Sequence, residues 1–363
     1  MTHSNVRDLF LELVAIPSQS GQEQELILYV ERYFKELAID VKVSRQQAGI
    51  VACIPATDDS VTQLPVIAFS AHLDTVTSTE IPEVIVANGY IDTANEAPLG
   101  ADDKAGVAAL LSAASELVTS KDPHGPLEFI FTTKEEEGLT GAKLFDLDLV
   151  DASFGYCLDA PGAVGGIIRT SKTHLQLDFW IEVGMSHEKS AILVAREAMK
   201  KIRKNFAATL GISWQVYHFG GEILENGNEK VTILSEFAAD VPLSDCLPYV
   251  EQIKQIFIET GVTYKADVQD VTHMNYHHFD IPETSQVCKI VAEAMQSLSI
   301  PRKTIQQEGG TDANVFNDRG IPFIVLATGF ENPHTTRERI AVPELERLTE
   351  LVLEIIKRAA NRQ

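Results

Sequence analysis

Apolar positions change their spacing along this chain, and the changes predict its elements. Over residues 6–15, Leu9, Phe10, Leu13 and Val14 recur at intervals that put them on one helical face. Ile16-Pro17-Ser18 closes that helix. Ser20-Gly21 opens a second one, in which Leu26, Ile27, Tyr29, Val30, Tyr33 and Phe34 keep the helical interval. Runs rich in β-branched residues at 41–43, 50–54 and 66–71 predict strands. A small-residue apolar helix follows at 105–117 and a buried strand at 127–133, with further strands at 150–158 and 320–326. Apolar strands alternating with amphipathic helices predict a mixed, mostly parallel sheet with helices on both faces, an α/β fold.

The pattern changes in the middle. Strands at 175–183, 231–237 and 264–271 alternate with polar positions, a fourth lies near 213–216, and long helices are predicted at 190–207 and 247–260. The order strand–helix–strand–strand–helix–strand predicts an α+β, ferredoxin-like lid inserted into the larger domain. Helices at 284–298 and 343–360 return to that domain. The expected division is therefore 1–170 with 278–363, and 171–277 as the insert. A chain of 363 residues is long enough for two cores.

Charge and cysteine usage narrow the setting. A formal net charge of −22 argues against nucleic acid or an anionic membrane surface as partner. No apolar run reaches the ~18 residues that span a bilayer. MTHSNVRDLF lacks a basic stretch followed by an apolar one, so no signal peptide is read. Cys53, Cys157, Cys246 and Cys288 are scattered without a CxxC pair, which suits reduced thiols. The expected location is cytoplasmic.

Sites in such sheets form beyond the carboxyl ends of strands, and five segments put chemistry there. They are SAHLDTV (70–76), GADDKAG (100–106), TTKEEEGLTGA (132–142), YCLDAPG (156–162) and NPHTTRE (332–338). Together they offer His72, Asp102, Glu135, Glu136, Asp159 and His334, a set able to hold two zinc-like ions and leave one carboxylate for proton transfer. His72 and Asp74 are two apart at a strand end and share a face, so Asp74 can accept the second imidazole N–H. Asp102 can bridge two ions with its two oxygens, while Asp103 serves the helix start. Adjacent Glu135 and Glu136 repel each other and need a cation or a shared proton. One of them can bind metal while the other takes a proton from water. Of the other histidines, His3 and His124 read as surface residues, and His174, His218, His273, His277 and His278 as ordinary residues of the insert or its edges.

These segments, in this order, resemble the peptidase T-like di-zinc exopeptidases, in the clan of aminoacylases and glutamate carboxypeptidases. The likeness extends to EGGTDANVFNDRGIPFIVLATG (308–329), similar to the family's GG(S/T)DA segment near the substrate cleft. The resemblance implies a phosphorylase/hydrolase-like catalytic domain. It also implies that Asp102 bridges two Zn2+ ions per subunit, with Co2+ or Mn2+ also suited to the N/O ligands. His72 and Asp159 would complete one position, and Glu136 and His334 the other. Glu135 would be the general base and then the general acid, and Asp74 would orient His72. His187, in GMSHEKSAI (184–192), matches the lid histidine that reaches the oxyanion, although the usual Gly and Pro around it are missing. SEFAADVP (235–242) lacks the Arg that clamps the substrate carboxylate in relatives, which weakens a strict tripeptidase assignment.

The function expected is a metallopeptidase that removes N-terminal residues from short peptides, with a homodimer formed through the lid. An N-acyl amino acid amidohydrolase would use the same metal site. A non-catalytic metal-binding scaffold would have no need of Glu135.

Overall fold

The computed structural model of the protein describes residues 5–361, except 59, 121, 186, 207–210 and 307–308. The chain divides into two compact units, Met1–Thr170 with Asp280–Gln363, and Ser171–Phe279. The second unit ends two residues beyond the expected 277. Its ends are tied there, since Ser171 N donates to Phe279 O at 2.9 Å and Phe279 N to Ser171 Oγ at 3.2 Å.

The first unit is built on an eight-stranded mixed sheet. Its spatial order is Asp40–Val43, Gly49–Ile54, Leu127–Thr132, Ile67–His72, Phe154–Ala160, Phe323–Ala327, Gly166–Ile168 and Lys303–Thr304. The four strands from Leu127–Thr132 to Phe323–Ala327 run parallel. Antiparallel pairings join them to Gly49–Ile54 on one side and Gly166–Ile168 on the other. Ile67–His72 and Leu127–Thr132 are buried at every position, as strands covered on both faces must be. Successive side chains point to opposite faces. Ile324 and Leu326 join the main core with the helices Val6–Val14, Ala101–Ser120, Gln286–Ser297 and Val342–Ala360. Phe323 instead stacks on Phe316 of the helix Asp312–Asp318.

Local chemistry sets several boundaries. Asn5 caps the first helix by accepting from Arg7 N at 3.1 Å. The small-residue helix starts at Ala101 rather than 105, and fourteen of its twenty residues are buried, because alanines let it lie close against strand Ile67–His72 and two other helices. The strand expected at 150–158 is Phe154–Ala160. Before it, Asp151 N and Ala152 N donate to the Glu128 carboxylate, which takes 151–152 out of the ladder.

The first unit also holds a small sheet that sequence periodicity does not reveal. The hairpin Val84–Ala87 and Tyr90–Thr93 pairs with Arg339–Ala341, which pairs with Phe330–Glu331. Strands of two and three residues leave no pattern to read. The last pairing closes residues 332–338 into a loop, braced by Arg339 to Glu331 at 2.7 Å.

The second unit has the connectivity of a split β-α-β unit: Thr173–Val183, Ala191–Phe206, Ile212–Ile223, Glu229–Ala239, Leu243–Tyr264 and Asp267–Tyr276. Its strands are antiparallel in the order Ile212–Ile223, Glu229–Ala239, Thr173–Val183, Asp267–Tyr276. Phe179, Ile181, Ile233 and Phe237 meet Val194, Ile202, Val250 and Phe257 in a core of its own. The expected end of its first helix, at 207, lies outside the described residues. The helix expected at 247–260 is longer, Leu243–Tyr264, and has Pro248 inside it.

Candidate active site

The parallel strands place four site residues at one edge of the sheet. His72 ends Ile67–His72 and lies opposite Thr132, whose strand leads into Glu135 and Glu136, while Asp159 sits near the end of the adjoining Phe154–Ala160. Two further segments reach the same place. The Gly100–Asp103 turn brings Asp102, and the loop 332–338 brings His334, whose backbone φ is +62°. The Asp102–Asp103 peptide is cis.

His72 is 2% exposed. Its Nε2 lies 3.2 Å from Asp102 Oδ1 and 3.7 Å from Asp159 Oδ1. His334 Nε2 lies 3.1 Å from Asp102 Oδ2 and 2.7 Å from Glu136 Oε1. Asp102 thus offers one oxygen to each imidazole. Ligand atoms within 4.8 Å of one another form three groups: His72, Asp102 and Asp159; Asp102, Glu136 and His334; and His72, Glu135 and Glu136. The structure brings all six residues together.

Asp74 is fully buried and ties the segments to one another. Its Oδ1 accepts from Glu135 N at 2.9 Å, and its Oδ2 accepts from Glu136 N at 3.0 Å and Ser20 Oγ at 2.6 Å. His72 Nδ1 lies 2.9 Å from the Asp74 main-chain carbonyl and 3.4 Å from Asp74 Oδ1. The imidazole is therefore held mainly by the Asp74 backbone, and the Asp74 carboxylate mainly fixes the Glu135-Glu136 turn. Glu23 supports that turn from beneath, accepting from Lys134 N at 3.0 Å and Gly21 N at 2.8 Å.

Two glycines permit these close approaches. A Cβ at Gly106 would lie 2.6 Å from Asp103 Oδ1 and 2.7 Å from Leu158 O, so Gly106 lets the helix sit against the strand that carries Asp159. A Cβ at Gly141 would overlap the Thr133 carbonyl.

Electrostatics follow from burying like charges together. Burial pushes the Glu135 carboxyl well up, and Asp159, Asp312 and Glu136 push it further. Burial raises Asp159 to about 7, against the pull of His72. Burial also opposes ionisation of Asp102, but the His334 and His72 imidazoles outweigh it and hold its carboxyl below the usual range. Hydrogen bonding to Asp102, then to Glu136, raises His334 to about 10. Among the described residues, no Lys or Arg pairs with Asp102, Glu135, Glu136 or Asp159; only imidazoles face them. Carboxylates and imidazoles gathered in this way, mostly buried although His334 is exposed, and with no Lys or Arg paired to them, are a donor set suited to divalent metal.

His187 belongs to the second unit, with Nδ1 2.8 Å from the Lys189 carbonyl. Its neighbour Ser186, like His3 and Glu308, lies outside the described residues. His124 is buried rather than superficial, because its Nδ1 turns 2.8 Å from the Gly125 carbonyl. Asp103 accepts from Gly106 N at 3.2 Å, in keeping with a helix-start role.

Sequence reasoning missed three contributors. Ser20 donates to Asp74, as above. Asp312 is buried and accepts from the Thr132 hydroxyl. Glu338 is buried and accepts from two main-chain N–H groups, of Gly100 and Asp102. Their signals were present in TDAN and in the last residue of NPHTTRE, but neither residue type stands out from ordinary capping carboxylates.

The fold and the site define an α/β protein with a buried cluster of side chains able to hold metal. The chain belongs to peptidase family M20/M25/M40, whose pattern matches residues 68–358. That is a metallopeptidase family, and the match makes the chain a hydrolase acting on peptide bonds. Within it the chain is a peptidase T-like member. It is 34% identical over 370 residues to the uncharacterized protein YqjE of Bacillus subtilis (strain 168), covering 97% of each chain. It is 26% identical over 387 residues to peptidase T of Bacillus mycoides (strain KBAB4), covering 94% of this chain and 93% of that one. Among solved structures, aminopeptidase PepT from Bacillus cereus ATCC 10987 superposes with a TM-score of 0.90 at 29% identity, covering 99% of this chain and all of that one. A tripeptidase from Staphylococcus aureus subsp. aureus mu50 gives a TM-score of 0.91 at 29% identity, with complete coverage of both chains.

Proposed function

We propose that this protein is a co-catalytic di-zinc aminopeptidase that removes N-terminal residues from short peptides. The observation that carries the reading is the division of Asp102 between two ligand groups, Oδ1 toward His72 and Oδ2 toward His334, with the buried Glu135 beside them. In this reading His72, Asp102 and Asp159 hold one ion, and Asp102, Glu136 and His334 hold the other. Bound there, the ions would acidify a water and polarise the scissile carbonyl.

The chain's own residues do the remaining work. Glu135 has a carboxyl raised by burial and by neighbouring carboxylates, which favours its taking up a proton from water. It holds that proton on its carboxylate and delivers it to the leaving nitrogen. The two N–H groups that donate to Asp74 fix the turn, so Glu135 and Glu136 keep separate tasks. The peptide class is supported by similarity to a peptidase T, an aminopeptidase and a tripeptidase.

Glu135→Gln tests the assignment. It keeps the size of the side chain and removes the base. Turnover of a tripeptide panel is expected to fall roughly a hundredfold to ten-thousandfold, with zinc content still near two per chain by elemental analysis. Loss of zinc in this variant would instead make Glu135 a ligand. Wild-type activity on N-acetyl amino acids but not on tripeptides would move the reading to an amidohydrolase.

A further inference from the structure

The loop that carries His334 ends in a buried carboxylate to which the proposed chemistry gives no role. Glu338 is 2% exposed. Its Oε2 accepts from Gly100 N at 2.8 Å and its Oε1 from Asp102 N at 2.8 Å. Each oxygen thus holds one donor. Both donors belong to the turn that starts the helix Ala101–Ser120, where main-chain N–H groups have no acceptor within the helix.

Partners 236 and 238 residues away make this more than local capping. A helix start is ordinarily satisfied by a residue just before it. Here the acceptor comes from the loop 332–338, four residues after His334. The same loop and the same turn supply His334 and Asp102, whose side chains meet at 3.1 Å. On the other side, Arg339–Ala341 pairs with both Phe330–Glu331 and Tyr90–Thr93, so the residue after Glu338 is anchored in a sheet.

We propose that Glu338 is a positioning residue: its two oxygens clamp the Gly100–Asp102 turn to the His334 loop and set the spacing of the Asp102 and His334 ligand atoms. It touches neither ion nor substrate. The proposal rests on the reading above only in that Asp102 and His334 hold a cation; it does not depend on which bond is cleaved.

The test is titration of the metal-stripped full-length chain with Zn2+ alone against a competing chelator, with thermal unfolding of the same metal-free samples. Glu338→Gln replaces one acceptor oxygen with an amide that faces an N–H. Glu338→Asp keeps the charge at the helix start but cannot span both donors, and it keeps the chain folded should the Gln variant not fold. Both variants are expected to weaken one of the two zinc positions roughly tenfold to a hundredfold. Saturating zinc should restore kcat, and the metal-free unfolding temperature should change little.

Wild-type zinc affinity in both variants overturns the proposal. So does full recovery in the Asp variant, which would make the effect one of charge alone. A lowered metal-free unfolding temperature with unchanged zinc affinity would leave only a helix cap and also overturns it. If the variants lose zinc affinity as expected but the wild type, loaded with two zinc ions, cleaves no peptide, the peptidase reading fails and the Glu338 clamp stands.

Discussion

At the residue scale, buried carboxylates without countercharge do most of the work. Asp312, which belongs to none of the three ligand groups, makes the consequence measurable. Burial pushes its carboxyl up to about 6 from 3.8, despite the Thr132 hydroxyl donating to it. In the unfolded chain the same carboxyl releases its proton near pH 4. Between pH ~4 and ~6 the folded chain therefore binds more protons than the unfolded one, and stability falls as pH rises through that window. A displacement of that size corresponds to roughly 3 kcal/mol. Asp312→Asn keeps an acceptor for Thr132 and removes the titration. Urea unfolding of metal-stripped protein should show the variant gaining roughly 2–3 kcal/mol on the wild type between pH 4 and pH 7. Equal pH profiles would show that Asp312 is not held in this way. The six candidate side chains were legible in the sequence because Gly-rich frames and strand ends marked them. Asp312, Glu338 and Ser20 were not, because a buried carboxylate or hydroxyl on a main-chain or side-chain partner looks in the sequence like an ordinary capping residue.

At the scale of elements, the long ones were readable and the short ones were not. Ile67–His72 and Leu127–Thr132 were readable from their mostly apolar composition, because both faces are covered. The two-residue strand Phe330–Glu331 and its partner Arg339–Ala341 were invisible, although they hold the loop of His334. The start of helix Ala101–Ser120 was read four residues late because its first turn, within GADDKAG, carries charge where the pattern looks for apolar residues. Close packing of such elements has a direct test. Gly141→Ala puts a methyl group into the Thr133 carbonyl, so the chain around the Glu135-Glu136 turn must move. Overpacking of this kind typically costs ~1–3 kcal/mol. Thermal unfolding should register that loss, with weaker zinc binding beside it. An Ala variant as stable and as zinc-tight as the wild type would mean that the turn tolerates displacement.

At the scale of the molecule, two cores and the mixed sheet follow from chain length and the change of pattern at 171. Which strands pair antiparallel did not, since register between distant strands is set by tertiary contacts. Among the described residues no helix is long and apolar enough to cross a membrane. The fold gathers like-charged carboxylates in the first unit, so its stability should depend on metal. Zinc at a hundred times its dissociation constant should stabilise the chain by ~2.7 kcal/mol through mass action. Chelation should therefore lower the unfolding temperature seen by calorimetry, and replenishing zinc should restore it. No response to chelator would indicate that nothing in the fold binds zinc in preference to the unfolded chain.

The central claim is convergence of two cations on Asp102. Crystals grown with zinc, with anomalous diffraction collected at the zinc edge, test it most directly. The account predicts two peaks ~3.5–4 Å apart, one against His72 and Asp159, the other against Glu136 and His334, with an Asp102 oxygen on each. A single peak, or peaks away from Asp102, would contradict it.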